Sequence, residues 1–308
     1  MAWKRLIRFI ADEDGEVHYG DCLTRGDIGV LDARGDKIQA RPLVDFATRK
    51  FDDEAAPLTV RKLLAPLSHG SVTAIRGLGL QYAPPTNPNT AAPDTKANVT
   101  PPRVPCLFLK PTTTLAGPRD EIVIPECALE ERNDYEVELC VVIGDRDCPK
   151  DTPERDAMQY VLGFTVVNDV TSRGLCGQGG AGQWGVGKNF DSWCPIGPCI
   201  VNPASLENPD SLELRTTLNG KVVQRGNTSQ LLLSIPKLIA ALSRGSTLSR
   251  HSLILTGSPV AIGRSSPTEA SRESPFLKHG DVVECWVEGI GTLVNTIREE
   301  GTVTKAKL

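Results

Sequence analysis

The sequence predicts an α+β fold that is mainly β, built from mixed sheets. Short apolar, β-branched runs follow one another along most of the chain, separated by turns rich in Gly, Pro, Asn and Asp. Helical pieces intervene at PERDAMQYV (153–161) and SQLLLSIPKLIAALSRG (229–245), with a weakly helical stretch within 44–67. The regular strand–helix alternation of a doubly wound parallel sheet is missing.

Taken in order, RLIRFIA (5–11) and the segments around VHYGDCL (17–23) and IGVLDA (28–33) read as short strands between Gly and Asp turns. VDFATRKFDDEAAPLTVRKLLAPL then runs weakly helical to a proline. A boundary near Leu67–Ser71 divides a small N-terminal domain, 1–67, from a larger one, 68–308. SVTAIRGLGLQYA is a strand entering a loop, and residues 84–105 are crowded with Pro, Asn, Thr and Ala without periodicity. A loop of that length reads as a lid or surface loop. Beyond it come CLFLKP, EIVIP, YEVELCVVIG, VLGFTVVND, CIVNP, LELRTTLNGKVVQ, LILTGSP and DVVECWVEGIGTLVNTI, each a strand or a pair of strands.

Composition excludes several classes of function. The chain has 308 residues, 40% of them hydrophobic and 23% charged, with a net charge of −4. That balance carries no electrostatic footprint for nucleic acid or anionic lipid. No apolar run approaches the ~20 residues of a membrane span, and the N-terminus turns acidic too soon for a signal peptide. A cytoplasmic protein is the expectation. The nine cysteines form no CxxC pair and sit mostly in apolar strand contexts, as in ELCVV and VECWV. They read as reduced, buried, small hydrophobes.

The chemistry begins at DYEVELCVVIG (134–144). Glu136 and Glu138 are alternate residues at the head of an apolar run, so they share one face of a strand about 6.6 Å apart. Two like charges buried together need neutralising, and a hard cation with oxygen ligands does so most simply. On that motif alone, a solvated edge of an antiparallel strand, where E-x-E is common, is the plainer reading. Asp169 adds a third carboxylate at the end of FTVVND, and Arg173 follows four residues on with a planar fork suited to a carboxylate. GLCGQGGAGQWGVGK then places seven glycines in fifteen residues, ending at Lys188. It fails as a phosphate-binding P-loop, because Asn189 stands where a hydroxyl is required. Thr256 and Gly257 end LILTGSP and offer hydroxyl or backbone donors to an anion.

These stretches together resemble the fumarylacetoacetate hydrolase family. The matching motifs are FLKP (108–111), DYEVELCVVIG (134–144), GFTVVNDVTSR (163–173), GKNFDSWCPIGPCIV (187–201), LILTGSPVAIG (253–263) and FLKHGDVVECWVEGIGTL (276–293). The resemblance covers residues 70–308, and residues 1–65 look like the small N-terminal region of some longer members. It implies a β-roll of mixed sheets, usually homodimeric. It also implies a divalent metal, typically Mg²⁺ with Mn²⁺ or Ca²⁺ as alternatives, on carboxylates matching Glu136, Glu138 and Asp169. Lys188 matches the active-site lysine, with Gln183 a further polar catalytic candidate. Arg173 and Thr256, with Gly257 and Tyr82, match the substrate-binding positions. The implied partner is a small 1,3-dicarbonyl or 2-oxo acid, turned over through a metal-stabilised enolate by C–C hydrolysis or decarboxylation. A tautomerase, isomerase or cyclase, or a small-acid binder without turnover, is the alternative.

One departure stands out. Family members commonly carry GLNY followed by His-x-x-Glu, a dyad that activates water or moves protons. Here the stretch is GLGLQYAPPTNPN, and Pro85 and Pro88 occupy the two positions. Neither transfers a proton. Asp94 lies in the same loop, and His18, His69, His251 and His279 fall in no matching motif.

Overall fold

Strands dominate, as the turn-punctuated sequence predicts. The structure is a computed structural model and describes residues 3–82, 104–177, 181–264 and 275–302. The N-terminal region contributes β1 (Arg5–Ala11), β2 (Val17–Cys22), β3 (Ile38–Asp45), β4 (Lys50–Phe51) and β5 (Leu58–Leu64). The rest supplies β6 (Ile75–Gly79), β7 (Cys106–Lys110), β8 (Leu115–Ala116), β9 (Glu121–Ile124), β10 (Asn133–Asp134), β11 (Val137–Ile143), β12 (Val161–Asn168) and β13 (Thr171–Ser172). Then come β14 (Cys194–Val201), β15 (Glu213–Leu218), β16 (Lys221–Asn227), β17 (Leu253–Leu255), β18 (Val282–Val287) and β19 (Gly291–Glu299). The helices are short: α1 (Ile28–Arg34), α2 (Glu154–Ala157), α3 (Arg173–Cys176) and α4 (Ile235–Ser243). The loop predicted at 84–105, with Pro85, Pro88 and Asp94, lies outside the described residues apart from 104 and 105.

The main sheet runs β2-β3-β5-β1-β14-β12-β11-β17-β6-β7 and is mixed, since β17 and β6 are parallel while most neighbours are antiparallel. A second sheet runs β16-β15-β18-β19-β9. Alternation divides β11 between two cores. Val137, Leu139, Val141 and Ile143 join Phe164, Val166, Leu214, Cys285 and Leu293 between the two sheets. Cys140 and Val142 face the other way, among Leu6, Val167, Cys194, Ile196 and Leu255.

One contact shows how far the main sheet curls. Between β12 and β7 lie β11, β17 and β6. Four strand spacings would separate them by about 19 Å if the sheet were flat. Yet Lys110, at the end of β7, reaches Asp169, just past β12, at 2.6 Å. The sheet therefore rolls until its edge faces its middle, and the enclosed space receives the polar side chains described below.

The N-terminal strands extend this sheet through β1, which pairs with β14 at Arg5↔Val201 and Leu6↔Ile200. We propose the boundary at 67/68 as a division between two units of fold joined by one continuous sheet. Two local expectations are corrected. IGVLDA is helix α1, because the Asp27 carboxylate accepts the Gly29 and Val30 N–H groups and Gly35 closes the helix in a left-handed conformation. The weakly helical stretch within 44–67 forms turns and strands instead. Asp45 and Asp52 capture nearby backbone N–H groups in tight turns, and β5 pairs with both β1 and β3.

Candidate functional site

The question left open by E-x-E is settled by sheet order. β11 has β12 on one side and β17 on the other, so it is no edge strand. Glu138 is only 1% exposed and Glu136 is buried beside it. The antiparallel register sets Val137 opposite Asn168, which brings the end of β12 to the start of β11. There the side-chain Oδ1 of Asn168 accepts from the Glu136 N–H at 2.9 Å, and the Asp169 N–H donates to the Glu136 backbone carbonyl at 2.9 Å. Three carboxylates meet as a result: one oxygen from each of Glu136, Glu138 and Asp169 lies within 4.8 Å of the others.

Cations are threaded between them. Lys188 Nζ donates to Glu136 Oε2 at 2.9 Å, to Asp169 Oδ2 at 2.5 Å and to the Thr171 hydroxyl at 2.6 Å. Lys110 holds the other oxygen of Asp169. Arg173 Nη2 lies 2.6 Å from Glu136 Oε1, and Asp134 Oδ2 accepts from both Arg173 and Arg264. The result is a buried alternating line: Arg264, Asp134, Arg173, Glu136, Lys188, Asp169, Lys110. Glu138 stands beside it, and its Oε2 accepts the Gly257 N–H at 2.6 Å.

The electrostatics follow from this threading. Burial would push the Glu136 carboxyl up, but the Arg173 guanidinium and the Lys188 ammonium outweigh it and hold it at about 2. Glu138 goes the opposite way. Burial, then the charges of Asp169 and Glu136, raise it well above the usual carboxylate range. Burial would lower Lys188, but Asp169 and Glu136 raise it above an ordinary lysine. Lys188 is therefore held as an ammonium.

The remaining sequence candidates take varied places. Thr256 is buried and its hydroxyl donates to the Leu139 carbonyl at 2.9 Å, which braces β17 against β11. Gly257 directs its N–H at Glu138 with φ +94, where a Cβ would meet Gln81 Cβ at 2.9 Å and the Leu78 carbonyl at 3.0 Å. Tyr82 is buried, and its hydroxyl has no hydrogen-bond partner among the described residues. Burial, then the charge of Glu138, raises the Tyr82 pKa, so the phenol keeps its proton. Gln183 is exposed, at the head of the one-turn 3-10 segment Trp184–Gly187 that leads to Lys188. Within that glycine-rich run Gly187 has a steric reason: a Cβ there would meet Cys176 Sγ at 2.5 Å and the Ser172 carbonyl at 2.6 Å.

Three participants escaped the sequence reading. Lys110 left a trace, because Cys106, Phe108 and Lys110 alternate inward while Leu107 and Leu109 face out, the inverse of an ordinary half-buried strand. Asp134 precedes Glu136 and Glu138 in the same alternation, a third acid in register. Arg264 left no trace, being 130 residues from its partner Asp134.

The donor set fits a hard divalent ion. Three convergent, buried carboxylates supply only oxygen. Lys188 already pairs with two of them, and Glu138, given a backbone N–H and no ion-pair partner among the described residues, is the carboxylate that gains most from a cation.

Comparison with known proteins decides the family. The family model described as "Fumarylacetoacetate (FAA) hydrolase C-terminal" matches residues 77–298. The chain belongs to the fumarylacetoacetate hydrolase family. It is 36% identical to a caffeoylpyruvate hydrolase of Neonothopanus nambi, covering 97% of this chain and 95% of that protein. It is 34% identical to the mitochondrial oxaloacetate tautomerase Fahd2a of Rattus norvegicus, over 95% and 91% of the two chains. A crystal structure of 5-carboxymethyl-2-hydroxymuconate delta-isomerase from Mycobacterium smegmatis superposes with a TM-score of 0.74 at 31% identity, over 97% of this chain and all of that one. The mainly β fold with mixed sheets is thus shared with enzymes of this family that act on small molecules. No helix among the described residues is long and apolar enough to cross a membrane.

Proposed function

We propose that this family member is a divalent-metal-dependent enzyme that enolises a 2-oxo or 1,3-dicarbonyl acid and cleaves it by C–C hydrolysis or decarboxylation. The observation that carries the reading is the convergence of Glu136, Glu138 and Asp169 in a buried nest of fixed cations. In this reading the three carboxylates hold Mg²⁺, with Mn²⁺ or Ca²⁺ as alternatives. The bound ion would supply Lewis acidity to an oxo group.

The chain's own residues do the rest. Lys188, held charged, places a positive centre beside developing negative charge. Arg173 reaches the acid group of the substrate from the other side of Glu136. Tyr82, protonated and without a hydrogen-bond partner among the described residues, donates to a substrate oxygen, and Thr256 and Gly257 set the position of Glu138. Gln183 enters from the exposed end of the glycine-rich run.

Full-length similarity to a caffeoylpyruvate hydrolase supports cleavage. A second reading, tautomerase or isomerase, is favoured by the rat tautomerase and by Pro85 and Pro88 at the positions of the proton-moving dyad. A binder without turnover is the outcome if neither chemistry occurs. A substrate panel read by NMR decides: oxaloacetate, acylpyruvates and fumarylacetoacetate, each with Mg²⁺ and with EDTA. Metal-dependent cleavage or CO₂ release supports the first reading, a product of unchanged mass the second, and no conversion overturns both.

A homodimer is part of the proposal. Leu107 and Leu109, 46% and 59% exposed, lie on β7, the last strand of the main sheet among the described residues, where apolar side chains invite a second chain. Sedimentation at micromolar concentration would show a dimer, and a monomer there would remove it. A cytoplasmic location also belongs to this reading; the rat relative is named mitochondrial, and cell fractionation separates the two.

A further inference from the structure

We infer that Asp134, clamped by Arg264, is a positioning residue that sets the plane of the Arg173 guanidinium for the substrate's acid group. The inference rests on the proposed role of Arg173 in gripping that group.

Asp134 lies outside the carboxylate triad but is just as deeply buried. It sits in β10, paired with β13 so that Asp134 lies opposite Thr171, two residues before Arg173. Its Oδ2 accepts from Arg173 Nε at 2.9 Å and lies 2.8 Å from Arg173 Nη2. Two nitrogens of one planar fork on one oxygen fix the fork's plane. Glu136 meets the fork at Nη2, at 2.6 Å, whereas Asp134 takes both Nε and Nη2.

Asp134 is itself fixed from behind. Arg264 Nη1 donates to the same Oδ2 at 2.7 Å, and Arg264 Nη2 donates to the Pro275 carbonyl at 3.3 Å. The Arg264 guanidinium stacks near Phe276 and Tyr135, 4.6 and 5.5 Å from the ring centroids. It is 1% exposed, so it cannot follow a ligand. One arginine is thus immobilised for architecture. The other keeps 12% of its side chain exposed and is aimed by the carboxylate they share.

A positioning role and a merely structural one predict different kinetics. Asp134→Asn keeps the shape and removes the charge. It should raise KM for oxaloacetate, and the Kd of oxalate on the Mg²⁺-loaded protein, by about tenfold or more. Mg²⁺ affinity measured by calorimetry should fall less than oxalate affinity, because all three carboxylates of the triad remain. The variant should also melt earlier, since the buried ion pair between Arg264 and Asp134 is lost. The double variant Asp134→Asn with Arg264→Gln removes both charges. It should recover melting temperature while KM and the oxalate Kd stay raised, and Asp134→Glu should recover part of both constants. Recovery of KM together with melting temperature in the double variant would make Asp134 only Arg264's structural partner and overturn the inference. So would unchanged constants in Asp134→Asn. Arg173→Lys is the separate control: unchanged KM and oxalate affinity there would overturn the substrate role of Arg173 itself.

Discussion

Asp169 and Asp145 are each held by two basic side chains, and they do different work. Asp169 takes Lys110 at 2.6 Å and Lys188 at 2.5 Å, with both partners of each contact almost fully buried. Asp145 takes His251 at 2.9 Å and Arg49 at 3.1 Å, but its side chain is 37% exposed. The first lies inside the rolled sheet, where each charge depends on its neighbours because water cannot replace them. The second ties a turn of the N-terminal unit to the surface of the larger one, where water screens what it holds. Similar geometry therefore implies chemistry in one place and docking in the other, and burial makes the difference.

Removing a carboxylate from the interior should have the largest effect. Asp169→Ala and Glu138→Ala should each lower Mg²⁺ affinity by about 100-fold or more while the fold survives; unchanged calorimetric binding in both would detach the metal from this nest. Lys188→Met comes next. It should lower turnover by about 10²–10³-fold, the usual effect of losing a charge-stabilising group, and leave metal binding intact. Wild-type rates in that variant would remove Lys188 from the mechanism.

Lys110→Met leaves one oxygen of Asp169 buried without its cation. Urea denaturation in EDTA should register a loss of about 3 kcal/mol, and a loss near zero would mean that this end of the charged line is as soft as the surface.

Asp145→Asn should be the mildest, at less than about 1 kcal/mol after solvent screening. Its pH dependence has a definite sign. Burial works to raise Asp145, but the hydrogen bond from His251 and the charge of Arg49 outweigh it and hold it below its ordinary 3.8. The stabilisation is then present above that value and lost as pH falls through the lowered folded value. Melting curves of the two proteins should differ at pH 5–7 and converge in acid, below about pH 4. A difference that grows in acid would reverse the assignment.

Much of this was legible in the sequence. The two glutamates one residue apart, the aspartate closing FTVVND and the lysine closing the glycine run all meet in one nest. The sequence missed wherever a local signal had a distant competitor. IGVLDA reads as strand by composition, yet the Asp27 cap and the close approach of Gly29 to the Thr292 carbonyl make it a helix against β19. LTVRKLL reads as the end of a weak helix until β1 and β3 are there to pair with it.

By itself the sequence determined which faces the acids share, because strand periodicity is local, and it determined the family, because several ordered motifs survive together. Only the tertiary structure decided that E-x-E lies on a central strand rather than a wet edge. It alone brought Lys110 and Arg264 to carboxylates 59 and 130 residues away. The Lys110 contact exists because the main sheet rolls back on itself, and that closure depends on the twist and pairing of all its strands together.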